Sequence, residues 1–187
     1  MQGIILRMHP AIFLDRDGVI IENRSDYVRS WPEVHIFPQA LSALAGISDS
    51  LFKVILVTNQ SAIGRGIIPF QTAVEINDRL VHEIKSSGGR IDGIFMCPHA
   101  PEDLCDCRKP LPGLFFQAAR ALSLDLKNSL MIGDALTDLM AARAAGIKRV
   151  ALVRTGRGAV QESLVEASQI DHFPVYETLA DALGDLV

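Results

Sequence analysis

Two carboxylates two residues apart, Asp15 and Asp17, end an apolar run, Ala11-Ile12-Phe13-Leu14, and are followed by Gly18. A strand places side chains i and i+2 on one face, so an extended strand end aims both acids at a common volume. Anions that close repel, and a cation, a shared proton or both must compensate. The alternative is a strand end carrying two solvated surface acids. Gly18 lets the backbone turn away at once. Asp134, in Gly133-Asp134-Ala135-Leu136-Thr137-Asp138, is a candidate third acid. Carboxylate and carbonyl oxygens that converge with room for water suit Mg²⁺, which keeps several waters and takes substrate phosphate. N-capping of the following helix is the other use for Asp134, and the two are compatible. Asp138, one helical turn on, reads as a supporting group rather than a direct ligand. Thr58 offers a hydroxyl and a backbone N–H to a phosphate oxygen. Lys109 is either a solvated surface charge or the positive charge that a nucleophile and a transferring group require. Pro110 and Pro112 are expected to hold its segment extended.

A second constellation is C-x-H-x5-C-x-C: Cys97, His99, Cys105 and Cys107, which uses all three cysteines of the chain. Three thiolates and one imidazole match a closed, tetrahedral structural zinc site. The other reading is three unrelated buried thiols beside a solvent-facing histidine. An odd, clustered cysteine set argues against a disulfide framework. Four protein ligands leave no open position for catalysis, so the zinc is expected to staple a loop. Arg108 and Lys109 follow the last ligand directly, and the loop therefore fixes where they point.

The elements that must position these groups alternate. Buried strands are expected at Ala11–Asp15, Lys53–Val57, Ile91–Met96, Ser129–Ile132 and Arg149–Val153. Helices are expected from Pro38, over Phe70–Ser87, Gly113–Leu122 and Leu136–Ala145, near 160–167 and near 178–186, with a short strand near 172–175. Residues 18–37 read as a flap or short hairpin, and Ile63–Gly66 as a glycine-containing loop. Continuously apolar strands separated by helices indicate a parallel sheet covered on both faces, a Rossmann-like three-layer α/β/α sandwich. Ligands of such sheets sit beyond the carboxyl ends of the strands. Asp15 and Asp17, Thr58 and Asn59, and Asp134 all fall there. The 187 residues suggest a single domain, with residues 1–8 as an extension. A net charge of −4 without a long basic run gives nucleic-acid binding little support. No apolar run approaches the roughly 18 residues of a membrane span, and no signal peptide is recognised. A cytoplasmic monomer is expected.

Taken together, Asp15-x-Asp17-Gly18, Thr58, Lys109 and Gly133-Asp134-x-x-x-Asp138 resemble, in order and at the right strand ends, the four motifs of the haloacid dehalogenase superfamily. The resemblance spans essentially the whole chain. It implies Asp15 as the nucleophile that forms an aspartyl-phosphate, and Asp17 as the proton donor and then base. It further implies Mg²⁺ on Asp15, Asp134 and the main-chain carbonyl of Asp17, and Thr58 and Lys109 on the phosphoryl group. An acid at Asp17 favours a phosphatase over dehalogenases or ion-pumping ATPases. The superfamily's large cap domains have no room between these motifs, so loops must build specificity.

The zinc loop followed by Arg108-Lys109-Pro110 is similar to one branch, the heptose bisphosphate and histidinol-phosphate phosphatases. Thr58-Asn59-Gln60-Ser61-Ala62-Ile63-Gly64-Arg65-Gly66 and Leu152-Val153-Arg154-Thr155-Gly156-Arg157-Gly158 lean towards the heptose side. Departures are Val19, Ala62 and Ala135, the last removing one phosphate contact the branch can have. The resemblance implies hydrolysis of the 7-phosphate of a phosphorylated sugar, D-glycero-D-manno-heptose 1,7-bisphosphate, on the route to nucleotide-activated heptose. Histidinol phosphate is the nearest alternative substrate, and a non-catalytic phosphate-binding module is the alternative of another class. Substrate contacts are expected from Asn23, Asp26, Asn59, Gln60, Ser61 and Arg108, with Arg65 and Arg154 as further candidates.

Overall fold

The computed structural model describes residues 8–187; the expected extension therefore lies outside the described residues apart from Met8, which is exposed. In chain order the elements are β1 (Ala11–Leu14), α1 (Pro38–Gly46), β2 (Lys53–Asn59), α2 (Ser61–Gly64), α3 (Phe70–Ser86) and β3 (Gly93–Cys97). There follow α4 (Gly113–Leu122), β4 (Leu130–Gly133), α5 (Leu136–Ala144), β5 (Arg149–Val153), α6 (Gly158–Gln161), β6 (Val175–Tyr176) and α7 (Leu179–Leu186). All the strands pair in parallel, in the order β3-β2-β1-β4-β5-β6. The chain moves from β1 outward to β3, then returns to the other side of β1 at β4. That reversal opens a crevice at the carboxyl ends of β1, β2 and β4.

Alternation along each strand feeds two apolar layers. Ile12 and Leu14, Val54 and Leu56, and Leu130 and Ile132 face one layer, closed by α1, α3 and α7. Ala11 and Phe13, Ile55 and Val57, and Met131 face the other, closed by α4 and α5. Phe13 meets Phe115 of α4 there, with ring centroids 4.9 Å apart at a tilt of 56°. The Ser129 hydroxyl accepts the Ala11 N–H at 2.8 Å, tying the start of β1 to β4. The strands that carry Asp15 and Asp134 are thus locked in register one chain-width apart.

Four expectations are corrected. The region 160–167 is not one helix: it holds α6 and, after an extended Leu164, a 3-10 turn at Val165–Gln169. Its apolar residues Val160, Leu164 and Val165 are exposed, so no burial supports a longer helix. The loop expected at Ile63–Gly66 is helical in its first half, since Ile63 and Gly64 belong to the short α2. The short strand shifts to Val175–Tyr176, where Leu152 and Val153 of β5 give it pairing partners. The Lys109 segment turns rather than running extended, with Leu111 N–H donating to the Arg108 carbonyl at 2.8 Å. Residues 18–37 form a flap held by isolated bridges, Asp17 to Ile21 and Ile21 to Ile36, around a 3-10 turn at Trp31–Glu33. No helix among the described residues is long and apolar enough to cross a membrane.

Leu80 of α3 is fully buried in the first layer. Leu80→Ala is expected to destabilise the fold by about 3 kcal/mol through lost transfer energy and a residual cavity. A urea midpoint unchanged from the wild type would contradict that packing.

Candidate active site

A cavity of about 670 Å³ opens at the switch point, a size ordinary for a small-molecule site. Its floor is electrostatic. Lys109 is buried, and its Nζ lies 2.6 Å from Asp138 Oδ1, 3.0 Å from Asp15 Oδ1 and 2.8 Å from the Val57 carbonyl. Burial alone would make this ammonium easier to discharge, but the carboxylates of Asp138 and Asp15 outweigh it and hold Lys109 above its ordinary value. Asp138 Oδ2 accepts the Ala135 N–H at 3.1 Å. Asp138, not Asp134, therefore caps α5. With both oxygens engaged it is a supporting group, as its place one turn into the helix suggests.

Asp15 Oδ1 accepts from Lys109 and from the Arg16 N–H at 2.8 Å, while Oδ2 accepts nothing from the described residues. Burial pushes the Asp15 carboxyl up to about 6, against the pull of Lys109. Asp134 is completely buried beneath the cavity. Its Oδ2 accepts the Arg157 N–H at 2.8 Å and Asn23 Nδ2 at 3.3 Å. Its Oδ1 is buried with no hydrogen-bond partner. Burial first, and then the charge of Asp15, raise this carboxyl to about 6.

These residues fit a divalent cation. Asp15, Asp134 and Asp138 bring oxygens within 4.8 Å of one another. Three buried carboxylates face one buried ammonium and, 3.6 Å from Asp134 Oδ2, the exposed Arg157 guanidinium, which leaves net negative charge to be offset. An orphaned buried carboxylate oxygen is costly without a partner, and a hard cation with oxygen ligands supplies one. The backbone approaches to match: a Cβ on Gly18 would lie 2.2 Å from Asp134 Oδ2, and one on Gly156 would lie 2.4 Å from it. Both glycines have positive φ, +84° and +64°.

Asp17 is treated differently. Arg16 folds back on it, Nε to Oδ2 at 3.0 Å and Nη2 to Oδ1 at 3.1 Å. Gln60 Nε2 donates to Asp17 Oδ2 at 2.9 Å and to Thr58 Oγ1 at 2.8 Å.

The second constellation assembles as expected. Cys97 and Cys107 sulfurs lie 3.2 Å apart, Cys105 and Cys107 3.5 Å, and Cys97 and Cys105 3.6 Å. His99 Nδ1 lies 3.3 Å from Cys107 Sγ and 3.6 Å from Cys97 Sγ. A tetrahedron with metal–sulfur bonds of about 2.3 Å has edges of about 3.8 Å, so the four donors fit one zinc ion. Although burial opposes it, the Arg108 N–H and the neighbouring thiols hold the Cys105 thiol down to about 7. The loop is strapped to the active-site edge. Gln60 N–H donates to the Cys97 carbonyl and Gly64 N–H to the Pro98 carbonyl, each at 2.8 Å. Asn59 grips the main chain of Lys109 from both sides, Nδ2 to the carbonyl at 3.0 Å and Oδ1 from the N–H at 3.1 Å.

Of the residues nominated from sequence, Asp15, Asp17, Asn23, Thr58, Asn59, Gln60, Ser61, Arg65, Arg108 and Lys109 line the one cavity. Asp134 lies buried outside that lining, and two of the substrate-contact candidates do not reach it either. Asp26 is exposed and pairs with Arg24 and Arg29; the flap turns its carboxylate outward, and Arg24, Ser25 and Tyr27 line the cavity instead. Arg154 pairs with Glu162 and Glu177 on the surface. Asn59 and Gln60 line the cavity while their amides engage Lys109, Thr58 and Asp17. Sequence reasoning missed Arg16 and Arg157. The strand-end rule that flagged Asp15 and Asp134 also covers the loop after β5, and it would have favoured Arg157, beyond Gly156, over Arg154 beside the strand. For Arg16 the signal was an arginine between two acids at a buried strand end.

A parallel, switch-point sheet with a cation-seeking carboxylate cluster and a buried lysine is the arrangement of a haloacid dehalogenase-like hydrolase. The family profile described as HAD-hydrolase-like matches residues 106–182. The D-glycero-beta-D-manno-heptose-1,7-bisphosphate 7-phosphatase of Bordetella bronchiseptica is 40% identical over 176 residues, 94% of this chain and 97% of that protein. The Vibrio cholerae protein of the same name is 39% identical over 155 residues, 79% of this chain and 83% of its own. The crystal structure of the B. bronchiseptica D,D-heptose 1,7-bisphosphate phosphatase, complexed with magnesium and phosphate, superposes with a TM-score of 0.86 at 38% identity, covering 95% of this chain and 97% of that one. The chain belongs to the haloacid dehalogenase-like phosphatase family.

Asp134 yields a pH-dependent expectation. An acid harder to ionise when folded destabilises the fold above its folded value, about 6, and ceases to do so below its unfolded value, about 4. In magnesium-free buffer, Asp134→Asn is expected to raise Tm at pH 7. The advantage should shrink as pH falls from about 6 to about 4. Thermal melts across that range check it, and a variant less stable than wild type at pH 7 contradicts it.

Proposed function

We propose that the protein is a magnesium-dependent phosphatase that removes the 7-phosphate of D-glycero-β-D-manno-heptose 1,7-bisphosphate. The observation that carries the reading is the Asp15 carboxylate, pinned through Oδ1 by Lys109 with Oδ2 free, in a cavity that four arginines line, Arg24, Arg65, Arg108 and Arg157. One buried ammonium beside the nucleophile serves the phosphate that reacts, and the arginines suit a second phosphate that stays. The relatives named above act, by their names, on a bisphosphate of that kind.

Asp134 Oδ1, the Asp17 main-chain carbonyl and Oδ1 of Asp15, the oxygen that does not attack, would hold Mg²⁺, which when bound would offset the negative charge of carboxylates and phosphate. Asp15 Oδ2 attacks phosphorus in line and forms an aspartyl-phosphate. The Asp17 carboxyl gives its proton to the departing sugar oxygen and then takes one from the attacking water. Thr58 and Lys109 hold phosphoryl oxygens, and Asp138 keeps Lys109 charged and in place. Reduced thiols suit the cytoplasm.

Side-by-side kcat/KM on the heptose bisphosphate and on histidinol phosphate tests the substrate. A clear preference for histidinol phosphate overturns that assignment and leaves the chemistry standing. Asp15→Asn is expected to abolish turnover on either compound.

Zinc on Cys97, His99, Cys105 and Cys107 serves to aim Lys109. Cys105→Ser is expected to lower zinc content by elemental analysis and, with Mg²⁺ present, to lower kcat by about 100-fold, the scale of a 1 Å misplacement. Full activity in zinc-depleted protein contradicts this role.

A further inference from the structure

Arg16 is the largest fully buried side chain among the described residues, only 1% exposed, although it stands between two acids that line the cavity. A buried guanidinium has five N–H groups to satisfy and is costly unless paired. Its Nε and Nη2 fork onto Asp17. Its Nη1 donates to Asn77 Oδ1 at 2.8 Å. Asn77, itself buried, belongs to α3, far from the cavity in sequence. The Arg16 carbonyl meanwhile accepts N–H groups from Ile20 and Ile21 at 3.0 and 3.1 Å, which sets the turn that follows Asp17. Arg16 is therefore fixed at both ends, and a fixed planar fork leaves a carboxyl little freedom to rotate.

We propose that Arg16 is a positioning residue for proton transfer: held by Asn77, its guanidinium locks the Asp17 carboxyl so that Oδ1 carries the proton to the departing oxygen. The two oxygens are not equivalent. Oδ2 accepts from Arg16 Nε, from Gln60 Nε2 at 2.9 Å and from Thr58 Oγ1 at 3.5 Å. Oδ1 accepts only from Arg16 Nη2 among the described residues. A carboxyl oxygen with one acceptor site used keeps another for a proton. As Asp15 Oδ2 bonds to phosphorus, the bond from phosphorus to the alcohol oxygen breaks. The electron pair goes to that oxygen, and the Asp17 Oδ1 proton follows it.

The inference rests on the phosphatase reading, and the experiment separates the two. Leaving-group release is measured in a single turnover with enzyme in excess and Mg²⁺ present, so the later water step does not enter. One ester is a sugar phosphate, whose alkoxide leaves only with a proton. The other is p-nitrophenyl phosphate, whose phenolate leaves without one. Arg16→Lys keeps the charge and loses the fork. It is expected to slow release from the sugar phosphate by about 100-fold, the lower end of general-acid contributions, and release from the aryl ester by less than about threefold. Asn77→Ser, which loosens the far end of Arg16, should shift the same ratio in the same direction by a smaller factor. It decides the matter if Arg16→Lys fails to fold. Equal losses on both esters, or no loss on either, overturn the role of Arg16. A wild-type protein inert towards both esters overturns the phosphatase reading and this inference with it.

Discussion

Three buried carboxylates gather around one buried ammonium at the floor of an open cavity, and the rest of the site depends on that imbalance. Asp15 and Asp138 hold Lys109 charged. Asp134, with one oxygen orphaned, adds a third negative charge beneath the cavity. A buried carboxylate oxygen without a hydrogen-bond partner is costly, so this cluster suits a divalent cation and an anionic substrate together. The glycines at 18 and 156 belong to the same constraint. They let two loops press onto Asp134 where any side chain would collide with it.

A lysine that must meet two acids within 3.0 Å cannot ride on a loose loop. The chain has little core to offer residues 98–112, and three separate devices replace it. The thiol–imidazole cluster closes the loop on itself. Asn59 reads the Lys109 main chain like a neighbouring strand. Gln60 and Gly64 tie the loop to the segment after β2. The cysteine loop and the segment after β2 therefore form one unit, which explains why a cysteine cluster sits immediately before the buried lysine. Loops of this kind also line the open cavity, so the groups that choose a substrate and the groups that position Lys109 lie on the same segments.

Much of this was legible in the chain. Continuous apolar runs marked five of the strands to within a few residues, because a strand buried on both faces must be apolar at every position. The polar residues directly after those runs marked the cavity, because a parallel sheet exposes its strand ends on one side. The zinc donors were legible because metal ligands need rare residue types at short spacing. What failed did so for a common reason. Arg154 and Asp26 were nominated by type and neighbourhood, yet each had opposite charges closer to hand on the surface. The helix expected near 160–167 broke because its apolar residues met nothing to pack against.

By itself the sequence determined which groups exist: a carboxylate pair at a strand end, a third acid beyond another strand, a lysine behind a metal loop. Those follow from local pattern, since residue type, spacing and hydrophobic period are written along the chain. Only the tertiary structure decided what each group does. Asp15 and Asp17 are two residues apart and of one type, yet Asp15 meets Lys109 from β2's far side while Asp17 is gripped by Arg16 and, through it, by Asn77 of α3. Asn77, 61 residues from the Arg16 that it holds, and Lys109, 94 residues from Asp15, set the two acids apart. Charge and hydrogen bonding act through space over a few ångströms, and only the folded sheet brings those partners within that range.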